Sequence, residues 1–215
     1  MNIGGFIPTS TIDFPGRLAA VIFTQGCPWR CHYCHNPALA LGQAECSHDW
    51  EGVKSLLERR KSLLDGVVIS GGEPLIQKDL LEVLQDIKGM GFETALHTGG
   101  AMVNRFKEVL PYLDWVGYDI KAEQLAYASI TQVEGSGEVA FAGLKALLES
   151  GVEYEVRTTV HWSLMSPEEL LSLSETLVGL GVKNYVVQIA RDGDNLSREL
   201  LAHDAVAQSF EHGPL

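Results

Sequence analysis

Three thiols crowd one short stretch of the chain. Cys27, Cys31 and Cys34 form C-x3-C-x2-C within Gln25-Gly26-Cys27-Pro28-Trp29-Arg30-Cys31-His32-Tyr33-Cys34, and Cys46 follows further on. A disulfide framework would spread its cysteines along the chain, whereas a tight group reads as metal-binding or redox-active. Thiolates are soft ligands suited to iron–sulfur clusters and to zinc. A cubane cluster ordinarily takes four cysteines. Three close ligands would leave one iron open to a substrate, much as a catalytic zinc keeps one free position. Zinc held by the same triad with His32, His35 or Cys46 satisfies the same ligand chemistry.

Other chemically useful residues recur along the chain: Ser70-Gly71-Gly72-Glu73-Pro74, His97-Thr98-Gly99-Gly100, Asp119-Ile120-Lys121, then Arg157, His161 and Gln188. Gly71 and Gly72 permit close backbone approach to a ligand, or a tight strand-to-helix turn. Asp119 and Lys121 are two residues apart, so on a strand they share a face. They either reach one ligand together or pair with each other. Lys121 is a compact cation suited to a carboxylate. Arg157 can serve the same end or pair with an internal acid such as Glu155. Asp13, just before Pro15-Gly16, is by local chemistry a turn residue.

These residues need a scaffold, and the intervening segments supply one. Short β-rich apolar runs at 18–24, 66–70, 92–97, 115–120, 153–160 and 185–189 read as strands. Helical periodicity fills 50–61, 78–88, 102–110, 139–148 and 166–180. In the last of these Ser166 caps, Pro167 suits the first turn and Glu169 completes a capping box. Six strands alternating with helices imply an α/β protein, a partial (β/α)6 TIM-like barrel of parallel strands; an open flavodoxin-like sheet is the alternative. Sites in such folds lie at the C-terminal strand ends, where the residues above fall.

The 215 residues read as a single domain, 1–215, with a core over about 3–190 and a polar C-terminal loop or tail over 191–215. The chain is 46% hydrophobic with net charge −12. That excludes a disordered chain and argues against nucleic-acid or anionic-membrane partners. No basic n-region or long apolar run is read at the N-terminus, so a cytoplasmic protein is expected.

The C-x3-C-x2-C loop after the first strand, with Tyr33 before the last cysteine, resembles the radical S-adenosylmethionine (SAM) superfamily. Asp13-Phe14-Pro15-Gly16, Phe23-Thr24-Gln25-Gly26-Cys27, Tyr33-Cys34-His35-Asn36 and Gly71-Gly72-Glu73-Pro74 resemble its glycyl-radical-enzyme activating proteins. The likeness is first to the activator of anaerobic ribonucleoside-triphosphate reductase, then to that of pyruvate formate-lyase.

The resemblance implies that Cys27, Cys31 and Cys34 hold three irons of one 4Fe–4S cluster. The fourth iron would chelate the amino and carboxylate groups of SAM, whose reductive cleavage gives a 5′-deoxyadenosyl radical. That radical would abstract hydrogen from a glycine of a partner glycyl radical enzyme. It further implies that Gly71, Gly72 and Glu73 face the SAM amino group and that Tyr33 lies over adenine. Asp119, Lys121, Arg157, His161 and Thr98 would contact SAM, and Asp13 would stand near the target glycine. His97 replaces an aspartate of the family's monovalent-cation stretch, which puts that cation site in doubt. Flavodoxin or ferredoxin is the implied electron donor, and Cys46 is read as a spare thiol. Two readings compete: a small-molecule radical SAM enzyme such as a deazaguanine synthase, and a zinc or electron-transfer module.

Overall fold

A computed structural model describes residues 1–45 and 48–190. Cys46 and the tail 191–215 lie outside the described residues. Seven strands form one unclosed sheet in chain order: β1 (Ile3–Ser10), β2 (Ala19–Thr24), β3 (Gly66–Gly71), β4 (Glu93–Thr98), β5 (Trp115–Asp119), β6 (Glu153–Val160) and β7 (Tyr185–Ile189). β2 to β7 run parallel. This is the expected partial barrel, with one addition. β1 pairs antiparallel to β2 at the edge of the sheet. Its sequence, IGGFIPTS, carries two glycines and a proline. Those residues weaken a strand pattern, but an edge strand tolerates them because its outer side owes no ladder bonds.

The helices are α1 (Pro37–Ala40), α2 (Trp50–Glu58), α3 (Leu80–Gly89), α4 (Val103–Val109), α5 (Tyr127–Thr131), α6 (Ser136–Ser150) and α7 (Pro167–Gly179). α3 buries Leu80, Val83, Leu84 and Ile87, the i, i+3, i+4, i+7 stripe of an amphipathic helix. α7 starts at the expected capping box, with Glu169 N donating to Ser166 Oγ and Ser166 N donating to Glu169. α6 begins three residues before the apolar pattern does. Gly135 takes a left-handed φ of 73° there, and buried Ser136 meets Thr131 Oγ1 at 2.7 Å. α1 and α5 are four and five residues long, too short for periodicity to reveal.

Strand alternation sorts side chains onto two faces. Val21, Val68, Ala95 and Trp115 stand in register across β2 to β5. With Phe14 and Ala19 they form a small buried cluster on one face of the sheet. His97 lies two residues beyond Ala95, and Asp119 four beyond Trp115, on that same face. The apolar layer therefore forms a floor, and polar residues follow above it at the C-terminal strand ends. The opposite face carries the larger core under the helices, including Ile22, Ile69, Leu84 and Phe106. Among the described residues no helix is long and apolar enough to cross a membrane.

Candidate functional site

A cavity of about 700 Å3 opens at the C-terminal strand ends. The cysteine loop, the ends of β3 to β7, and Ile12 and Asp13 from the segment between β1 and β2 line it. The loop is tied down from two sides. Gly26 N and Cys27 N donate to the carbonyls of Leu39 and Ala40 in α1, at 2.7 and 3.1 Å. Arg30 N and His32 N donate to Thr131 and Ile130 in α5, at 2.9 and 3.1 Å. Cys27, Cys31 and Cys34 are each half-buried and all three line the cavity.

Burial pushes the Cys27 thiol up to about 12, with the charge of Glu73 adding to the effect. Burial also raises the Cys31 thiol. Metal binding must displace these protons, because only thiolates ligate. Three soft donors on one wall fit an iron–sulfur group. Among the described residues no three His, Cys, Asp or Glu side chains stand close enough to hold a single metal ion. A cluster distributes its thiolates over separate irons.

Gly71 and Gly72 also line the cavity, and their lack of a side chain has a cause inside the protein. Gly71 takes φ +118°, and a Cβ there would stand 2.3 Å from Thr24 N. A Cβ on Gly72 would stand 2.2 Å from the Gly26 carbonyl oxygen. Two glycines therefore let the end of β3 press against the strand end that launches the cysteine loop.

Glu73 is 2% exposed and binds three donors. Its Oε1 accepts from Thr98 Oγ1 at 2.6 Å and Leu75 N at 3.1 Å, and its Oε2 accepts from Gly99 N at 3.0 Å. Burial raises its carboxyl against the pull of those bonds. It ties the end of β3 to the end of β4.

A charge group lines the same cavity. Arg157 Nε donates to Asp119 Oδ1 at 3.0 Å, and Lys121 Nζ lies 3.8 Å from Asp119 Oδ2. Burial works to raise the Asp119 carboxyl, but Arg157 and Lys121 outweigh it and hold the group below its ordinary value. Arg157 pairs with Asp119 across the β5–β6 ladder and not with Glu155. A Cβ on Gly117 would stand 2.8 Å from the guanidinium, so that glycine makes room for it. Asp119 and Lys121 pair with each other, and both line the cavity.

Tyr33 is 7% exposed and lines the cavity, and its hydroxyl has no hydrogen-bond partner. His97 Nε2 donates to the Asp13 carbonyl at 2.8 Å and packs edge-on against Trp115 with centroids 5.6 Å apart. Burial lowers its pKa to about 4, and nearby Arg157 adds to this, so the ring is neutral. Asp13, Thr98 and Gln188 reach the cavity, whereas its lining does not extend to His161. His161 Nδ1 instead accepts from Ser163 N at 3.3 Å.

The sequence reading missed Ile12, Trp29 and Thr159 as cavity residues. Trp29 lies inside the cysteine motif, and Thr159 lies two residues beyond Arg157 on the same strand face. Either position was a usable signal.

Residues 21–162 match the family described as the Radical SAM superfamily. A Methanocaldococcus jannaschii protein named as a glycyl-radical enzyme activating enzyme is 27% identical over 195 residues, covering 81% of this chain and 75% of its own. The pyruvate formate-lyase-activating enzyme of Clostridium pasteurianum is 36% identical over 167 residues, covering 74% and 68% respectively. The fold is similar to that of Streptococcus suis SuiB bound to S-adenosylmethionine, with a TM-score of 0.66 at 15% identity. That match covers 88% of this chain, which spans about half of SuiB (48%).

Proposed function

The chain belongs to the radical SAM superfamily, among its activating enzymes, and from that premise we propose that it installs a glycyl radical on a partner enzyme. One observation carries the reading: three thiols, two bare glycine backbones and a charge group with two cations line a single cavity. Cys27, Cys31 and Cys34 would hold a 4Fe–4S cluster, with SAM bound beside it in the same cavity. The chemistry such a cluster would supply is a one-electron reduction of SAM, giving methionine and a 5′-deoxyadenosyl radical.

The chain's own residues bind and orient. Lys121 and Arg157 bring positive charge toward the methionine carboxylate, and Asp119 holds both side chains in place. Gly71 and Gly72 offer bare backbone toward the amino group, and Glu73 with Thr98 fixes that end. Tyr33 offers an aromatic face and an unpartnered hydroxyl to the nucleoside. Asp13, tethered by His97, stands at the cavity where the target glycine enters. His161 stands outside this set. Buried Trp29 and Tyr33 keep water from the reacting centre.

The partner is a glycyl radical enzyme. Anaerobic ribonucleoside-triphosphate reductase is the first candidate on the sequence motifs. A pyruvate formate-lyase-like enzyme is the second, supported by the name of the Clostridium pasteurianum relative. Flavodoxin or ferredoxin supplies the electron.

Anaerobically reconstituted protein with dithionite and SAM should release 5′-deoxyadenosine. Cys27→Ala, Cys31→Ala and Cys34→Ala should each abolish that release, and Cys46→Ala should preserve it. Absence of product from the wild type, or equal loss on Cys46→Ala, overturns the reading or its ligand set. A glycyl doublet in EPR with one candidate partner and not the other names the target. About one zinc per chain without labile sulfide would establish the zinc alternative.

A further inference from the structure

Among the described residues one non-glycine backbone lies in the left-handed region: Gln132, at φ 58° and ψ 28°. A side chain there is disfavoured, so something must hold it. Gln132 directly follows α5, and its surroundings point at the cysteine loop. Its side-chain Nε2 donates to the carbonyl of Arg30. The two residues before it, Ile130 and Thr131, accept from His32 N and Arg30 N. The turn thus meets the stretch between Cys27 and Cys34 at three points.

The turn is itself fixed from behind. Thr131 is fully buried, donates to the Tyr127 carbonyl at 3.1 Å and meets Ser136 Oγ at 2.7 Å. Lys121 N donates to Tyr127 Oη at 3.2 Å, so the turn connects through α5 to the strand end bearing Asp119 and Lys121. Gln132 N closes α5 on the Ala128 carbonyl at 2.8 Å. The left-handed step ends α5 at the point where the Gln132 side chain meets the Arg30 carbonyl.

We propose that Gln132 is a positioning residue for the metal-binding loop: its left-handed turn and side-chain amide clamp the Arg30 carbonyl and hold the three cysteines in cluster-binding order. The proposal rests on the cluster assignment above. It predicts that cluster retention and fold stability separate. Gln132→Gly keeps the left-handed backbone without strain but removes the amide. Gln132→Glu keeps the shape, but its carboxylate cannot donate to a carbonyl.

The experiment reads the decay of cluster absorbance in reconstituted protein against an iron chelator, beside the thermal midpoint of each apo-protein. Both variants should lose the cluster about threefold faster than wild type, the weight of a solvent-exposed hydrogen bond. Their apo midpoints should stay within about 4 °C of wild type. Wild-type retention in both variants overturns the proposal. So does retention that merely follows a fallen midpoint. If one variant fails to fold, the other decides by the same two readings. A wild type that takes up no cluster defeats the functional reading instead, which separates the two failures.

Discussion

Gly72→Ala tests whether the end of β3 sets the position of the cysteine loop. The added Cβ would stand 2.2 Å from the Gly26 carbonyl oxygen, and its next neighbours are the carbon and nitrogen of the same residue. These are backbone atoms, so no rotamer change relieves the clash. Relaxing the contact even to 3.0 Å parts the two segments by about 0.8 Å. The Glu73 N bond to the Gly26 carbonyl, now 2.8 Å, would then stretch to about 3.6 Å, beyond bonding range.

Leaving that donor unmet costs about 1–3 kcal/mol. At roughly 2–4 °C per kcal/mol for a chain of this size, the apo-protein midpoint should fall by about 4–8 °C for a cost near 2 kcal/mol. Gly26 directly precedes Cys27, so iron uptake on reconstitution should fall as well. Gly179→Ala is the control, because its Cβ would meet nothing within 4 Å. Thermal melts of the two apo-variants and iron counts after reconstitution read the outcome. A Gly72→Ala variant that melts and loads like Gly179→Ala refutes the claim that these glycines serve strand-to-loop contact.

Asp119→Ala leaves Arg157 and Lys121, 12% and 14% exposed, without their shared carboxylate. The apo-protein should lose about 1.5 kcal/mol by denaturant titration, the low end for a charged hydrogen bond because Asp119 still meets solvent. An unchanged midpoint would contradict the pairing of Asp119 with both cations. His97 sits at about 4 in the folded chain, below its ordinary 6.5. Between those values the unfolded chain binds a proton that the folded chain does not, so stability falls as pH drops from about 6.5 to about 4 and this contribution is flat below. His97→Gln should remove that segment of the pH–stability curve, and identical curves for the two proteins would count against a buried neutral ring.

Much of the site was legible because its signals are local. The cysteine spacing, the D-x-K pair two residues apart, the glycine pair and the Ser166 capping box all act over a few residues, and six strands announced themselves as apolar runs. β1 escaped because an edge strand needs no continuous β-rich pattern. α5 escaped because five residues carry no periodicity. Arg157 had several acids in reach along the sequence. Its partner was decided by parallel register, which sets Asp119 opposite Arg157.

The sequence by itself determined which chemistry is present: three soft thiols, bare backbone, a carboxylate with cations, and the order of elements that delivers them to one end of a sheet. Tertiary structure decided how those groups meet. It showed that Gly71 and Gly72 answer first to the backbone of β2 and the cysteine loop, and that Tyr33 is buried with its hydroxyl unmet. It joined His97 to Asp13 across 84 residues and kept His161 outside the cavity lining. The division has a physical reason. Residue type and periodicity follow from neighbours along the chain, whereas register, close backbone approach and cross-strand pairing depend on which segments the folded sheet brings side by side.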